Sequence, residues 1–390
     1  EEIQKQILKP GIVQVSGCLD AQKAHFANGF SGEFPFRLII TENDLKAKEV
    51  YEDYRLYDPE VLFYPARDLI FYQADIHGNL ITKQRIQVLQ ALLERKEATV
   101  IASIDSCLDY LIPLELWKNR AIHFYNDSEI SLDQMKTELV ELGYERTTQV
   151  EVPGQFSIRG GIMDIFPLRE ENRSFDVESQ RSIENLEEII IYPATEMVLD
   201  EQTIAAGLKA IEKEAKALQK KLRDEFKTEE AARVKNVAEE IQDQMREFEH
   251  FTGAESFIHY FYKNTVGFLD YFPENTLVVL DEVVRLGEHA KATEEEFRES
   301  MIHRLEKGYL LPGQTNLICR YQEILHKFHQ MHTLSLSLME PVGVGWEVAR
   351  EVQVTVKSVN PYHNSFEMLL KDLKQWKKAG YQTLLLSPSR

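Results

Sequence analysis

Cysteine is scarce. Cys18, Cys107 and Cys319 are the only three in 390 residues, they lie far apart, and no CxxC pair occurs. That excludes a disulfide framework and a cysteine-rich zinc site, and it fits a reducing compartment. No apolar run approaches the roughly 18 residues a membrane span needs, and the opening Glu1-Glu-Ile-Gln-Lys is no signal peptide. A soluble, cytoplasmic protein is expected. Positive charge is also in deficit: 45 Lys and Arg face 64 Asp and Glu, a formal net charge of −19. This opposes broad, nonspecific DNA binding by the chain alone, while leaving room for a local basic patch. Hydrolytic motifs are missing as well, with no G-x-S-x-G, no H-E-x-x-H and no Cys/His pairing. His326, His329 and His332 recur at every third residue, a spacing that drifts about 60° per step around a helix, and no carboxylate completes it. Neither a catalytic set nor a metal site is expected.

What is present is α/β grammar. The length suits two or three domains. In residues 1–120, strands Phe36–Ile40, Val61–Tyr64 and Thr99–Ser103 alternate with helices, one of them over Lys83–Glu94 with Ile86, Leu89, Leu92 and Leu93 on a single face. Thr41-Glu-Asn-Asp44 reads as a helix start with acids in the first turn. Such spacing predicts a parallel, doubly wound sheet. Gly17-Cys-Leu-Asp-Ala-Gln22-Lys23-Ala24 keeps the first Gly and the Lys of a phosphate-binding P-loop, but Gln22 replaces the second Gly and Ala24 the hydroxyl residue. Gln hinders close approach of backbone N–H groups to phosphate, and Ala cannot ligate Mg²⁺. The loop is either a chance pairing or a decayed nucleotide site, and no nucleotide is expected to bind. Leu277-Val-Val-Leu-Asp281-Glu282 has the shape of a Walker B strand. With no working P-loop to serve, its acids are expected to cap the next helix or pair with a base.

Residues 121–194 read as a small α+β unit. Ser131-Leu-Asp-Gln134 is a capping box, Leu132, Met135, Leu139 and Leu142 form an apolar stripe, and Gly143 is a natural helix stop. Val150–Pro167 follows as a β-hairpin, with Phe156 and Ile158 alternating on the way in and Gly160-Gly161 supplying the turn. Arg159 stands at its tip, either as a solvated side chain or as a contact for a partner. Glu187–Tyr192 is a further strand. In residues 195–350 the stretch from Glu201 to Lys263 holds one Gly before Gly253 and no Pro. Ile211, Ala215, Leu218 and Leu222, then Val234, Val237, Ile241 and Met245, repeat at helical spacing without a sustained heptad. Amphipathic helices with solvated charged faces are expected there, not a coiled coil. Residues 351–390 read as the start of a third unit: a strand from Glu351 to Val359 in which Val352, Val354 and Val356 alternate, a helix bearing Phe366, Leu369, Leu370, Leu373 and Trp376, and a strand at Tyr381–Leu386. A unit ending on one new strand implies a longer native protein.

Several separated motifs agree on a family. They are Gly17–Ala24, Tyr64-Pro-Ala-Arg-Asp-Leu-Ile-Phe-Tyr72, Ile76-His-Gly-Asn79, Pro153-Gly-Gln-Phe-Ser-Ile-Arg-Gly-Gly-Ile-Met-Asp-Ile-Phe-Pro167 and Phe175-Asp-Val-Glu-Ser-Gln-Arg-Ser182. Together they resemble the N-terminal region of the bacterial transcription-repair coupling factors, the part homologous to the excinuclease protein UvrB. A true UvrB would carry an intact P-loop and a long Tyr-rich hairpin, for which Asp68–Ile81 is too short. The resemblance implies a degenerate helicase-like (P-loop NTPase-type) α/β domain split by an inserted α+β domain, then part of a third small α/β domain. It implies no cofactor here, with ATP and Mg²⁺ used elsewhere in the full-length protein, a DNA translocase acting in DNA repair. RNA polymerase and double-stranded DNA would be met through domains outside this chain. The implied partner of the inserted domain is the excinuclease protein UvrA, with Arg159, Phe156, Arg173 and Phe175 as contacts. The alternative is a catalytically active UvrB-like helicase or nuclease. One departure stands out. After Asn172 the family runs into a strand of the type R-I-E-x-x-x-D-E, whereas here Arg173-Ser-Phe-Asp-Val follows at once. About a dozen residues of the family pattern are therefore missing, by deletion or by omission of a loop.

Overall fold

The computed structural model describes residues 2–67, 78–125, 131–160, 162–168, 175–176, 181–182, 188–247, 253–341, 347–359, 361–363, 365–383 and 385. The Asn172–Arg173 junction and most of Asp68–Ile81 lie outside the described residues.

The chain opens with α1 (Glu2–Ile7), β1 (Gly11–Ser16), α2 (Asp20–Phe30), β2 (Phe36–Thr41), α3 (Asp44–Tyr54), β3 (Leu62–Tyr64), α4 (Gly78–Glu94) and β4 (Ala98–Ser103). It then leaves this grammar for α5 (Ile104–Leu108), β5 (Tyr110–Leu111), α6 (Leu114–Lys118), β6 (Ile122–Tyr125) and α7 (Leu132–Glu141). Six short strands follow: β7 (Glu145–Arg146), β8 (Gln155–Arg159), β9 (Ile162–Phe166), β10 (Phe175–Asp176), β11 (Arg181–Ser182) and β12 (Glu188–Ile191). After them come α8 (Glu201–Asp224), α9 (Thr228–Glu247), α10 (Ile258–Phe261), β13 (Val266–Gly267), β14 (Thr276–Asp281), α11 (Val283–Glu306), α12 (Tyr321–Gln330), β15 (His332–Ser337), β16 (Arg350–Gln353) and α13 (Phe366–Lys378).

Seven of these strands make one sheet, in the order β16-β1-β15-β14-β2-β4-β3, with every pairing parallel. Its strands are apolar on both faces because helices cover both. The alternation shows it directly. Leu38, Ile40, Val100 and Leu280 join the core on one side, while Ile39, Ile101, Val279 and Leu336 join the core on the other. Local signals set the helix starts as expected. Asn43 accepts from the Lys46 N–H at 2.9 Å to open α3, and Ser131 accepts from the Gln134 N–H to open α7, although the Gln134 side chain donates to Glu138 at 2.7 Å and does not complete the expected capping box.

Smaller sheets lie between β4 and β14 in sequence. β6 pairs antiparallel with β12, and β7-β8-β9 forms a three-stranded sheet whose β8–β9 hairpin is in register from Gln155↔Phe166 to Arg159↔Ile162. Long α8 and α9 pack on each other through Ile211, Ala215 and Leu222 against Ala231, Val234, Ala238 and Ile241. Gly207 permits α8 to lie against Phe261, since a Cβ there would fall 2.2 Å from the ring.

Three expectations change. The strand beginning near 351 is not the start of a separate unit: β16 is the edge strand of the seven-stranded sheet, paired with β1 from Val13↔Arg350 to Ser16↔Gln353. Residues 381–383 form no strand. His332 is not on the helix of His326 and His329 but opens β15, with its ring hydrogen-bonded to the Ile7 carbonyl at 2.9 Å. A residue ladder on paper cannot show where a helix stops and a strand begins.

Candidate functional site

Parallel α/β sheets place their functional loops at the carboxyl ends of the strands, and there the start of α2, after β1, reaches across β15 to the end of β14. Lys23, one turn into α2, reaches three carboxylates: Asp281 at 2.6 Å, Glu282 at 2.7 Å and Asp20 at 2.8 Å. The side chains of Lys23 and Asp281 are each 7% exposed, so the pair is desolvated, while Asp20 remains in water. Ligand atoms of the three acids lie within 4.8 Å of one another, and the Lys23 ammonium sits among them. Burial by itself lowers the affinity of Lys23 for its proton. The Asp281 charge and hydrogen bonds to Asp20, Asp281 and Glu282 more than reverse this, so the ammonium is held charged. For Asp281 burial wins and lifts its carboxyl above the usual carboxylate range despite Lys23 beside it. Glu282 does not cap α11 with its side chain and adopts a left-handed backbone, φ 52°. Of the two roles expected for the acids, pairing with a base is the one observed.

The loop before Lys23 is closed by the chain itself. Gly17 N–H donates to the Leu338 carbonyl at 3.2 Å and Cys18 N–H to Ser337 at 2.9 Å, while Leu19 N–H meets the Gln22 side chain at 3.4 Å. Across the loop runs the residue after β16. Val354 N–H donates to Ser16, and a Cβ on Gly17 (φ +89°) would come 2.1 Å from the Val354 carbonyl oxygen. Only glycine tolerates both the angle and the approach. Ala24, on α2, is buried. Sequence reasoning missed Ser337, Leu338 and Val354, because nothing local marks residues that arrive from over 300 positions away.

A second cluster ties the small sheets to the large one. Arg85 on α4 is fully buried; its Nε lies 2.7 Å from Glu196 and its terminal nitrogens 3.0 Å from Asp109 and 2.9 Å from the Pro65 carbonyl. Arg67 adds longer pairs to Asp109, Glu196 and Glu255. The Arg85 guanidinium lies 4.2 Å from the Tyr64 ring centroid, a cation–π contact strengthened by desolvation. Burial alone would raise the Glu196 carboxyl, but Arg67 and Arg85 hold it below its ordinary range. The chain leaving β12 is thus pinned at Glu196, with Trp117 Nε1 donating to the Thr195 carbonyl at 2.9 Å one residue earlier.

The β8–β9 hairpin presents Arg159 at its tip, about half exposed. Its guanidinium is not idle: Asp164 on β9 accepts from it at 2.7 Å. Ile162 beside it is exposed. Phe156, expected as a partner contact, is wholly buried, because it occupies the inward face of β8 and joins the main core. It holds the hairpin onto that core from its inner face. Phe175 lies in β10 opposite Ser182 along the backbone, and Arg173 lies outside the described residues.

The segment holding this hairpin is also where a family matches: residues 122–197 fit the UvrB interaction domain. The chain resembles the transcription-repair coupling factors. It is 29% identical over 375 residues to that of Bacillus subtilis (strain 168), covering 90% of this chain and 31% of the relative. It is 26% identical over 377 residues to that of Staphylococcus haemolyticus (strain JCSC1435), covering 90% and 30%. The chain therefore spans under a third of the length of the curated coupling factors it matches. An α/β chain with a seven-stranded parallel sheet agrees with the helicase-like domain that the resemblance implies. Among the described residues no helix is long and apolar enough to cross a membrane.

Proposed function

We propose that this chain is the repair-recruitment module of a transcription-repair coupling factor: a non-catalytic adaptor whose inserted unit, residues 121–194, docks the excinuclease protein UvrA. The observation that carries this reading is the UvrB interaction domain over residues 122–197, with Arg159 exposed at the tip of its central hairpin. An Arg held by one carboxylate in the free protein can exchange it for a partner's carboxylate or carbonyl, and Arg is a frequent interface anchor. The full-length protein would be an ATP-dependent DNA translocase that removes RNA polymerase stalled at DNA damage. ATP, Mg²⁺, polymerase and the duplex along which the motor translocates would be engaged by parts of it beyond this chain.

The helicase-like domain here is read as catalytically silent. A working phosphate loop needs free backbone N–H groups and a hydroxyl for Mg²⁺. The N–H groups of Gly17, Cys18 and Leu19 already have acceptors, Ala24 has no hydroxyl, and Lys23 is committed to the acids that a metal would require. The rival reading, an active UvrB-like helicase or nuclease, needs that loop open. Two measurements test the proposal. Arg159→Ala should weaken binding of purified UvrA, by calorimetry, by about 1–3 kcal/mol if the guanidinium is desolvated at the interface; equal affinity would remove Arg159 from the interface. DNA-stimulated ATP turnover by this chain would favour the rival.

A further inference from the structure

The sequence is acidic as a whole, yet one face of α8 carries only cations. Lys209, Lys213, Lys216, Lys220 and Arg223 follow each other at alternating steps of four and three residues. At 3.6 residues per turn these steps keep all five within a sector of about 80°. The sector lies on the side of the helix away from the stripe of Ile211, Ala215, Leu218 and Leu222 that α8 buries, and all five cations are exposed. No Asp or Glu falls inside the sector. Glu212 flanks it and pairs with Lys216, and Asp224 flanks the other side near its end. The side chains of Lys209, Lys213, Lys220 and Arg223 make no ion pair or hydrogen bond among the described residues. An ordinary solvated face looks different, and the neighbouring α9 supplies the comparison: Arg233 pairs with Glu229 and Lys235 with Glu239 at the i,i+4 spacing.

From Lys209 to Arg223 the ridge runs about 21 Å at the helical rise per residue. We propose that it is a binding surface for the phosphate backbone of double-stranded DNA. A duplex carries one negative charge per roughly 1.7 Å of axis, about a dozen along the ridge, spread evenly as the cations are. A folded acidic protein surface offers no such regular lattice. Single strands are usually held on aromatic platforms interleaved with cations, and the ridge sector contains no aromatic residue. The net charge of −19 does not veto this contact. At 0.1 M salt the Debye length is about 10 Å, shorter than the ridge, so DNA lying on α8 senses the five cations more than distant acids. The surface is separate from the hairpin, and it places a DNA contact on this chain independently of the partner proposed above.

The test is fluorescence anisotropy of the whole chain with a short labelled DNA duplex between 50 and 200 mM salt. Nonspecific binding in the range of about 10⁻⁴–10⁻⁶ M is expected, with a log–log salt slope near −4 from four to five phosphate contacts. Reversing four charges together (Lys209→Glu, Lys213→Glu, Lys220→Glu, Arg223→Glu) should weaken binding at least tenfold and flatten the slope. Each single reversal should reduce the slope by about 0.9. The control, Lys5→Glu, Lys9→Glu, Lys371→Glu and Lys374→Glu, changes the net charge equally at exposed positions elsewhere and should bind as the parent does. The proposal is overturned if the ridge variant keeps the parent's affinity, if the control loses as much, or if the parent does not bind at 50 mM salt. Tighter binding of a polyglutamate peptide than of the duplex would overturn it in favour of an acidic protein surface.

Discussion

Removing the Lys23 ammonium tests the reading of the β1–β14 junction most directly. Lys23→Met keeps the length of the side chain and deletes its charge, leaving Asp281 and Glu282 adjacent with no cation between them. Breaking a buried ion pair by removing one partner costs about 3–5 kcal/mol. Asp281 is as buried as Lys23, but Glu282 is about a fifth exposed and Asp20 is solvated, which places the expected loss near the lower end, about 3 kcal/mol. With a urea slope of about 2–3 kcal/mol per molar the midpoint should fall by about 1–1.5 M. A chain of this size need not unfold in one step, so hydrogen exchange at α2 and β14 should report the same loss locally. The pH dependence carries a sign. In the parent, burial already raises the Asp281 carboxyl and Lys23 opposes it; without Lys23 the rise is larger. A carboxyl raised in the folded state contributes stability below its unfolded value, near 3.9, and loses it as pH rises through the folded value. The deficit of Lys23→Met should therefore be full at pH 7.5 and shrink as pH falls through the raised Asp281 value. Adding Asp281→Asn to Lys23→Met should recover most of it. A loss under about 1 kcal/mol at pH 7.5, typical of an exposed pair, or a loss indifferent to pH, would refute the account of a desolvated cation seat.

Other expectations concern single residues. Phe156→Ala should cost about 3–5 kcal/mol in the melting of the β7–β9 unit, since the ring is fully buried; a variant with unchanged stability and weakened partner binding would return Phe156 to the interface. Phe226, at the tip of the α8–α9 hairpin, is 92% exposed with φ +61° and closes a helix stop in which Lys227 N–H donates to Leu222 at 2.8 Å. Glycine suits that angle, so Phe226→Gly should stabilise the chain by about 1 kcal/mol in a thermal melt. Glu196→Gln should destabilise at neutral pH and remove one acid-sensitive contribution. The parent carboxyl is held low by Arg67 and Arg85, so its contribution is present above the unfolded value near 4.3 and lost as pH falls through the folded value. An acid-denaturation curve of the same shape for both proteins would contradict that.

Sequence by itself determined what neighbours along the chain decide. Short apolar runs at Phe36–Thr41 and Thr276–Asp281 place buried strands, Ser131 and Asn43 place helix starts, and Gly160 places a turn with Arg159 at its tip. These features rest on interactions two to four residues apart, which a linear reading sees. Substitutions at Gln22 and Ala24 were legible for the same reason: they alter a local motif whose chemistry is known residue by residue. Tertiary structure alone decided the rest. Lys23 meets Asp281 across 258 positions, Val354 crosses Gly17, and β16 joins β1 instead of opening a new unit. Phe156 and Arg159 belong to one strand, yet the fold buries the first and exposes the second. Strand order and burial follow from how whole elements cover one another's apolar faces, and that free energy belongs to no single stretch of chain.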